Sequence, residues 1–254
     1  MIYNFEQAKK AFEEYLDEYD RTQPKIQLKI IHTYGVVEAA RQITERMKLS
    51  GEDRELAQLI ALLHDIGRFE QLKRYDSFQP ETMNHAAFGA GLLFGKKKMI
   101  RKFLKEDTYD SLICEAIAKH SDFRLEGITD ERTLLHARLI RDADKLDNCR
   151  VKLEESLEVL LGETAEEVGR EEISPKVWKY CLNRESVLSA DRKTKMDYWI
   201  SYLAQYFDVN FRETYEIIKE NNYNRRIADR IPYENKDTAQ KVEILVKMLD
   251  ENMR

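Results

Sequence analysis

The 254-residue sequence is poor in the residues that interrupt helices, with nine glycines and four prolines. Both destabilise helix interiors, so their scarcity leaves long stretches where a helix can run. Strand signals are equally thin: no long Val/Ile/Thr alternation is closed by an Asn-Gly or Asp-Gly turn. An all-α fold is therefore expected. Three cysteines, Cys114, Cys149 and Cys181, are odd in number and lack CxxC spacing. They exclude a disulfide frame and read as reduced thiols of a cytoplasmic protein. No apolar run approaches the roughly 20 residues that cross a bilayer, and the acid-rich start "MIYNFEQAKKAFEEYLDEYD" is no signal peptide. No membrane partner is expected. The net charge of −5 gives no footprint for a nucleic-acid polymer. The basic run "GKKKMIRKFLK" (95–105) reads as a solvated helix face.

What the chain has is amphipathic periodicity, with 43% hydrophobic and 35% charged residues. The spacing predicts helices over 4–19, from Lys25 to about Leu49, and from an N-cap at Ser50 to a stop at Gly67. The segment 70–84, "EQLKRYDSFQPETMN", reads mainly as a loop. Helices resume over 83–95, 109–120 and 130–149, then over 151–161, 175–188, 194–220 and 236–252. The acidic stretch "GETAEEVGREEISP" (162–175) reads as a surface excursion. One domain over 1–254 is expected, with a core over about 25–150 and a C-terminal helical extension over about 151–254.

There are five histidines. His32 shares a helix face with Val36, Ala39 and Ile43. His64 closes the third helix, with Asp65 beside it in "LLHDIGRF". His85 opens "HAAFGAGLLF", and His120 ends a face carrying Ile113, Ala116 and Ile117. Asp144, in "RDADKLD", shares a face with Ala137 and Ile140. Any one of these alone reads as a hydrogen-bonded core or capping residue. Together they would cost several kcal/mol each to bury unless something compensates them, and a shared metal site compensates all of them. His136 falls outside this pattern and is expected to have no metal role.

His32, the pair His64-Asp65, and Asp144 resemble in their order the H…HD…D signature of the HD superfamily of metal-dependent phosphohydrolases. "NHAAFGAG" and "AKHSD" look like the two further histidine motifs of its dinuclear members. The similarity covers about residues 25–150. It implies an HD-domain helical bundle built around two metals. His32, His64, Asp65 and Asp144 would hold the first metal and His85 and His120 the second, with Asp65 bridging. Mixed imidazole and carboxylate donors suit Fe, Mn, Ni, Co or Zn.

Two metals sharing a carboxylate can lower the pKa of a shared water to near neutrality. The implied chemistry is hydrolysis of a phosphate ester, in a nucleotide or another phosphomonoester or phosphodiester. No GxSxG nucleophile motif is present or needed. Asp65, Arg68 and Lys145 are the candidate catalytic side chains. Arg68, Lys145 and Lys119, each next in sequence to a ligand candidate or to Gly67, are the candidate phosphate-binding ones. Adjacency on a helix means about 100° of rotation, so at least one of them points elsewhere. Asp147 could orient a ligand or carry a proton; an ion pair with Arg150 or Arg141 is the alternative. Tyr75 and Phe78 could stack on a base and Gln79 or Asn84 hydrogen-bond a sugar or phosphate, against plain loop packing. The aromatic run "DYWISYLAQYFDVNF" (197–211) reads as core. Two other functions stay open: a mixed-valent di-iron oxygenase of the HD fold, and a non-catalytic nucleotide-binding HD module. The Gly-Tyr-Pro run of the cyclic-di-GMP phosphodiesterases is absent. Homodimerisation through the C-terminal helices stays open as well.

Overall fold

The computed structural model describes residues 4–251. They form helices joined by turns, and no strand occurs among them. The chain divides into two compact units, Met1–Asp147 and Asn148–Arg254.

The first unit contains α1 (Phe5–Leu16), α2 (Pro24–Arg46), α3 (Gly51–Leu63), α4 (Ile66–Tyr75), α5 (His85–Phe94), α6 (Asp110–Lys119) and the start of α7 (Glu131–Glu154). Local chemistry sets the starts. Asn4 caps α1 by accepting from the Gln7 amide, and Pro24 occupies the first turn of α2, where its missing N–H costs nothing. Ser50 Oγ accepts from the Asp53 amide at 3.1 Å, and Asn84 Oδ1 accepts from Ala87 at 3.0 Å. The second cap starts α5 one residue before His85.

The core of this unit follows from helical spacing. Ala8, Phe12 and Leu16 recur every four residues on α1 and are fully buried. Val36 and Ile43 of α2 are buried, as are Leu56, Leu59, Ile60 and Leu63 of α3. Each such Leu, Ile or Phe stabilises by roughly 2–3 kcal/mol. Phe69 of α4 meets Phe12 edge-to-face, with ring centroids 5.9 Å apart.

Two expectations about this unit need correction. Gly67 does not end the third helix. That helix ends at Leu63 with His64 as its cap, and Gly67 lies inside α4. Its role is close approach, since a Cβ there would overlap the His85 carbonyl and lie 2.8 Å from the Gly89 amide nitrogen of α5. The loop read over 70–84 is likewise shorter. Ile66, Phe69 and Leu72 form a buried stripe at three-residue spacing, which carries α4 through Tyr75. Asp76 then stops the helix in the left-handed conformation, at φ 46°.

The second unit contains α8 (Leu157–Leu161), α9 (Ala165–Arg170), α10 (Pro175–Leu182), α11 (Lys195–Ala204), α12 (Arg212–Glu220), α13 (Tyr223–Ala228) and α14 (Lys236–Asp250). The continuous helix read over 194–220 is broken: a 3₁₀ turn spans Gln205–Asp208, and Val209 and Phe211 are extended. The break lets Tyr206 and Phe207 turn inward, and Trp199 and Tyr206 are both buried. Within the acidic stretch, Thr164 and Glu167 form a reciprocal capping box that starts α9. The expected end of the last helix at residue 252 lies outside the described residues. No described helix is long and apolar enough to cross a membrane.

Candidate metal centre

Six helices deliver the six residues. α2 carries His32, the α3–α4 junction carries His64 and Asp65, α5 begins with His85, α6 is capped by His120, and α7 carries Asp144. The junction explains the adjacent pair. His64 is the last residue with helical angles, and Asp65 departs to φ −101°, ψ 17° before α4 begins. The turn aims both side chains into the same interior. The four histidines and Asp65 are buried, and Asp144 retains partial exposure.

Asp65 lies at the middle of the group. Its Oδ1 is 3.2 Å from His85 Nε2 and 3.6 Å from His120 Nε2, and its Oδ2 is 3.6 Å from His64 Nε2. His85 and His120 bring their Nε2 atoms within 3.2 Å of each other. On the other side His32 Nε2 lies 3.0 Å from Asp144 Oδ1. Donor atoms of His32, His64 and Asp144 lie within 4.8 Å of one another, as do those of His64, Asp65 and His120.

The imidazole tautomers test the fit to a metal. His64 Nδ1 lies 2.7 Å from the Ala61 carbonyl, His120 Nδ1 lies 2.8 Å from the Ile117 carbonyl, and His32 Nδ1 lies 2.7 Å from Asp147 Oδ2. These oxygens can only accept, so each Nδ1 donates and leaves Nε2 as the nitrogen that faces the cluster. His64 Nε2 is buried without a hydrogen-bond partner, whereas His32 Nε2 meets the Asp144 carboxylate. Converging Nε2 atoms whose Nδ1–H groups are held from behind are the arrangement a transition-metal site requires. The carboxylates Asp65 and Asp144 complete a mixed N/O donor set.

Charge in the cluster supports the same assignment. Burial pushes the imidazoles of His64 and His85 down to about 4 and about 3, so both stay neutral near pH 7. Burial alone would raise the Asp65 carboxyl, but the Lys29 ammonium and the surrounding imidazoles hold it well below the usual carboxylate range. Asp144 is likewise lowered against its burial by the hydrogen bond and charge of His32. His32 differs: burial and Lys29 pull it down, but the carboxylates of Asp144 and Asp147 carry it above its ordinary value.

The other residues singled out in the sequence divide. Arg68 stays at the cluster, with Nε 3.6 Å from Asp65 Oδ1 and Nη1 donating to Gln71 Oε1 and to the Phe78 carbonyl. Lys145 is buried on α7 beside Asp144. Lys119 turns away, donating to the Glu126 carbonyl at 2.6 Å. Phe78 lies within cation–π distance of both Lys29 and Arg68, at 5.6 and 5.9 Å. Tyr75 is exposed, the Gln79 carbonyl accepts from Gln71, and Asn84 serves as the α5 cap. His136 is buried 3.1 Å from Asp53 Oδ1. Of the roles open to Asp147, the structure shows the hydrogen bond to His32.

Sequence reasoning missed Lys29, whose Nζ lies 2.6 Å from Asp65 Oδ2. The signal was its position three residues before His32, on the same face of one helix.

The HD-domain family model matches residues 30–149, the segment that carries all six residues, and supports the HD superfamily for it. No curated protein and no solved structure matches the chain. HD domains are helical, bind divalent metals and are usually hydrolases. The match therefore suggests metal-dependent hydrolase activity in general.

Proposed function

We propose that the protein is a metal-dependent phosphohydrolase acting on a small phosphate ester, a nucleotide among the candidates. The observation that carries this reading is the convergence of His64, His85 and His120 on the Asp65 carboxylate, with His32 and Asp144 grouped against His64. In it, His32, His64, Asp65 and Asp144 would hold one divalent transition ion, and His85 and His120, with Asp65, would hold a second. Bound there, the ions supply Lewis-acid activation of water and charge stabilisation at the phosphoryl group.

The chain's own residues do the rest. Arg68, half-buried with its Nε 3.6 Å from Asp65 Oδ1, binds a non-bridging phosphate oxygen. Lys145, buried next to Asp144, adds a second positive charge to the same anion. Lys29 balances the charge of Asp65 and, with Arg68, holds Phe78 at the border of the site. The carbonyl and carboxylate partners of the Nδ1–H groups keep the imidazoles of His32, His64 and His120 from rotating during turnover.

The test is phosphate release. Metal-stripped protein is reloaded with Mn²⁺ or Fe²⁺ and assayed against nucleotides and simple phosphate esters. Release that vanishes in Asp65→Ala is expected. Iron-dependent oxygen consumption without phosphate release would instead assign the di-iron oxygenase reading.

A further inference from the structure

His32 is held from behind by a carboxylate for which a neighbouring helix has left room. Its Nδ1 lies 2.7 Å from Asp147 Oδ2, and both side chains are 3% exposed. Gly35 lies one turn after His32 on α2. A Cβ at Gly35 would overlap all three atoms of the Asp147 carboxylate group, the farthest, Oδ2, at 2.8 Å. A helix-interior glycine costs about 1 kcal/mol relative to alanine, so a glycine at this point of a 23-residue helix calls for a compensating contact. The Asp147 carboxylate occupies the space.

We propose that Asp147 and Gly35 form a positioning device for His32. Asp147 fixes the Nδ1–H tautomer and the ring plane, and Gly35 admits Asp147 close enough to do so. The device rests on the reading of His32 as a metal ligand. Asp147 acts through His32: its Oδ2 holds the far side of the ring, and Nε2 faces Asp144 and His64. A ring free to rotate about χ2 would present Nε2 to the cluster only part of the time. Supporting partners of this kind are typically worth about 10–100-fold in metal affinity.

The test combines a mutant cycle with two readouts other than turnover. The first is Mn²⁺ affinity of the full chain, and the second is the ¹⁵N-detected tautomer of His32 in metal-free protein. The wild type is expected to show Nδ1–H at His32. Asp147→Ala should lose that preference and weaken Mn²⁺ binding by about 10–100-fold. Asp147→Asn keeps an accepting oxygen and should restore most of both. Gly35→Ala should lower the thermal midpoint and weaken Mn²⁺ as Asp147→Ala does. In the Asp147→Ala background the same glycine change should raise the midpoint, because the clash is gone and only helix propensity remains.

Independent, additive losses at the two positions would overturn the proposal, as would unchanged affinity and tautomer in Asp147→Ala. If Gly35→Ala does not fold, Asp147→Asn and the tautomer measurement still decide. A wild type that binds no Mn²⁺ would remove the metal reading, while the tautomer and the reversal of sign would still judge the positioning device.

Discussion

Lys29 Nζ and Asp65 Oδ2 lie 2.6 Å apart, in a pair whose carboxylate is almost wholly buried. Coulombic attraction to this ammonium is the largest effect holding Asp65 ionised. Removing one partner of a buried pair strands the other, at a cost of about 3–5 kcal/mol. Lys29 keeps some solvent contact, so Lys29→Met should destabilise metal-free protein by about 2–3 kcal/mol. A bound cation neutralises the same carboxylate, so saturating Mn²⁺ should recover most of the loss. Urea unfolding with chelator and with Mn²⁺ measures both; an equal loss in the two conditions would refute the argument.

Gly67 and Gly91 make a controlled pair. A Cβ at Gly67 of α4 meets backbone of α5, whereas one at Gly91, near the end of α5, meets nothing within 4 Å. Backbone cannot rotate aside as a side chain can, so Gly67→Ala must push the two helices apart and shift His85 away from Asp65. We expect a loss of about 2–4 kcal/mol with weakened binding of the second metal. Gly91→Ala should be neutral or stabilising by up to about 1 kcal/mol. Thermal unfolding and metal stoichiometry by elemental analysis would separate the two.

The pH dependence of the chelated protein follows from His64 and His85. Unfolded, each titrates near 6.5; folded, burial pushes them down to about 4 and about 3. Their lowered values mean that the unfolded state binds protons first, so their contribution is fully present above pH 6.5 and is lost as pH falls toward 4. For His64 alone the span corresponds to about 3 kcal/mol. His32, raised by Asp144 and Asp147, acts in the opposite sense, favouring the folded state below its raised value. His136 is lowered by burial as well, so three lowered imidazoles against one raised predict a net fall. The urea midpoint of chelated protein should be lower at pH 5 than at pH 7.5, and a flat or rising midpoint would count against it.

The sequence made some of this legible and hid the rest for physical reasons. Six histidine and aspartate positions could be found because burying such groups needs compensation, and helical spacing showed which faces they share. The all-α class followed from the same periodicity. The boundary at Gly67 was misread because a glycine after an apolar run has two uses, ending a helix or letting two helices touch. Only the position of the α5 backbone distinguishes them. The Lys29–Asp65 and His32–Asp147 pairs join residues 36 and 115 positions apart, a distance local pattern does not span. The break at 205–211 was hidden because Tyr206 and Phe207 fit a helical stripe and a 3₁₀ turn equally well.

The segment from Asp76 to Asn84 is tethered to α4 by two side chains, one half-buried and one fully buried. Arg68 Nη1 donates to the Phe78 carbonyl at 3.0 Å. The fully buried Gln71 donates through Nε2 to the Gln79 carbonyl at 2.9 Å and to Thr82 Oγ1 at 2.8 Å. The tethers differ in what else they do, because Arg68 also approaches Asp65 and Gln71 does not carry charge. Gln71→Leu should free the segment and leave the cluster's electrostatics alone: faster amide exchange over 76–84, a raised KM, and kcat within about threefold. Arg68→Ala should free the same segment and remove a phosphate-binding charge, lowering kcat/KM by about 10²-fold, the equivalent of about 3 kcal/mol. Arg68→Lys should recover little of that, because an ammonium cannot reach Gln71, Phe78 and the anion together as the guanidinium fork does. If Gln71→Leu lowers kcat as far as Arg68→Ala does, the loss comes from the loop and the charge assigned to Arg68 is not needed.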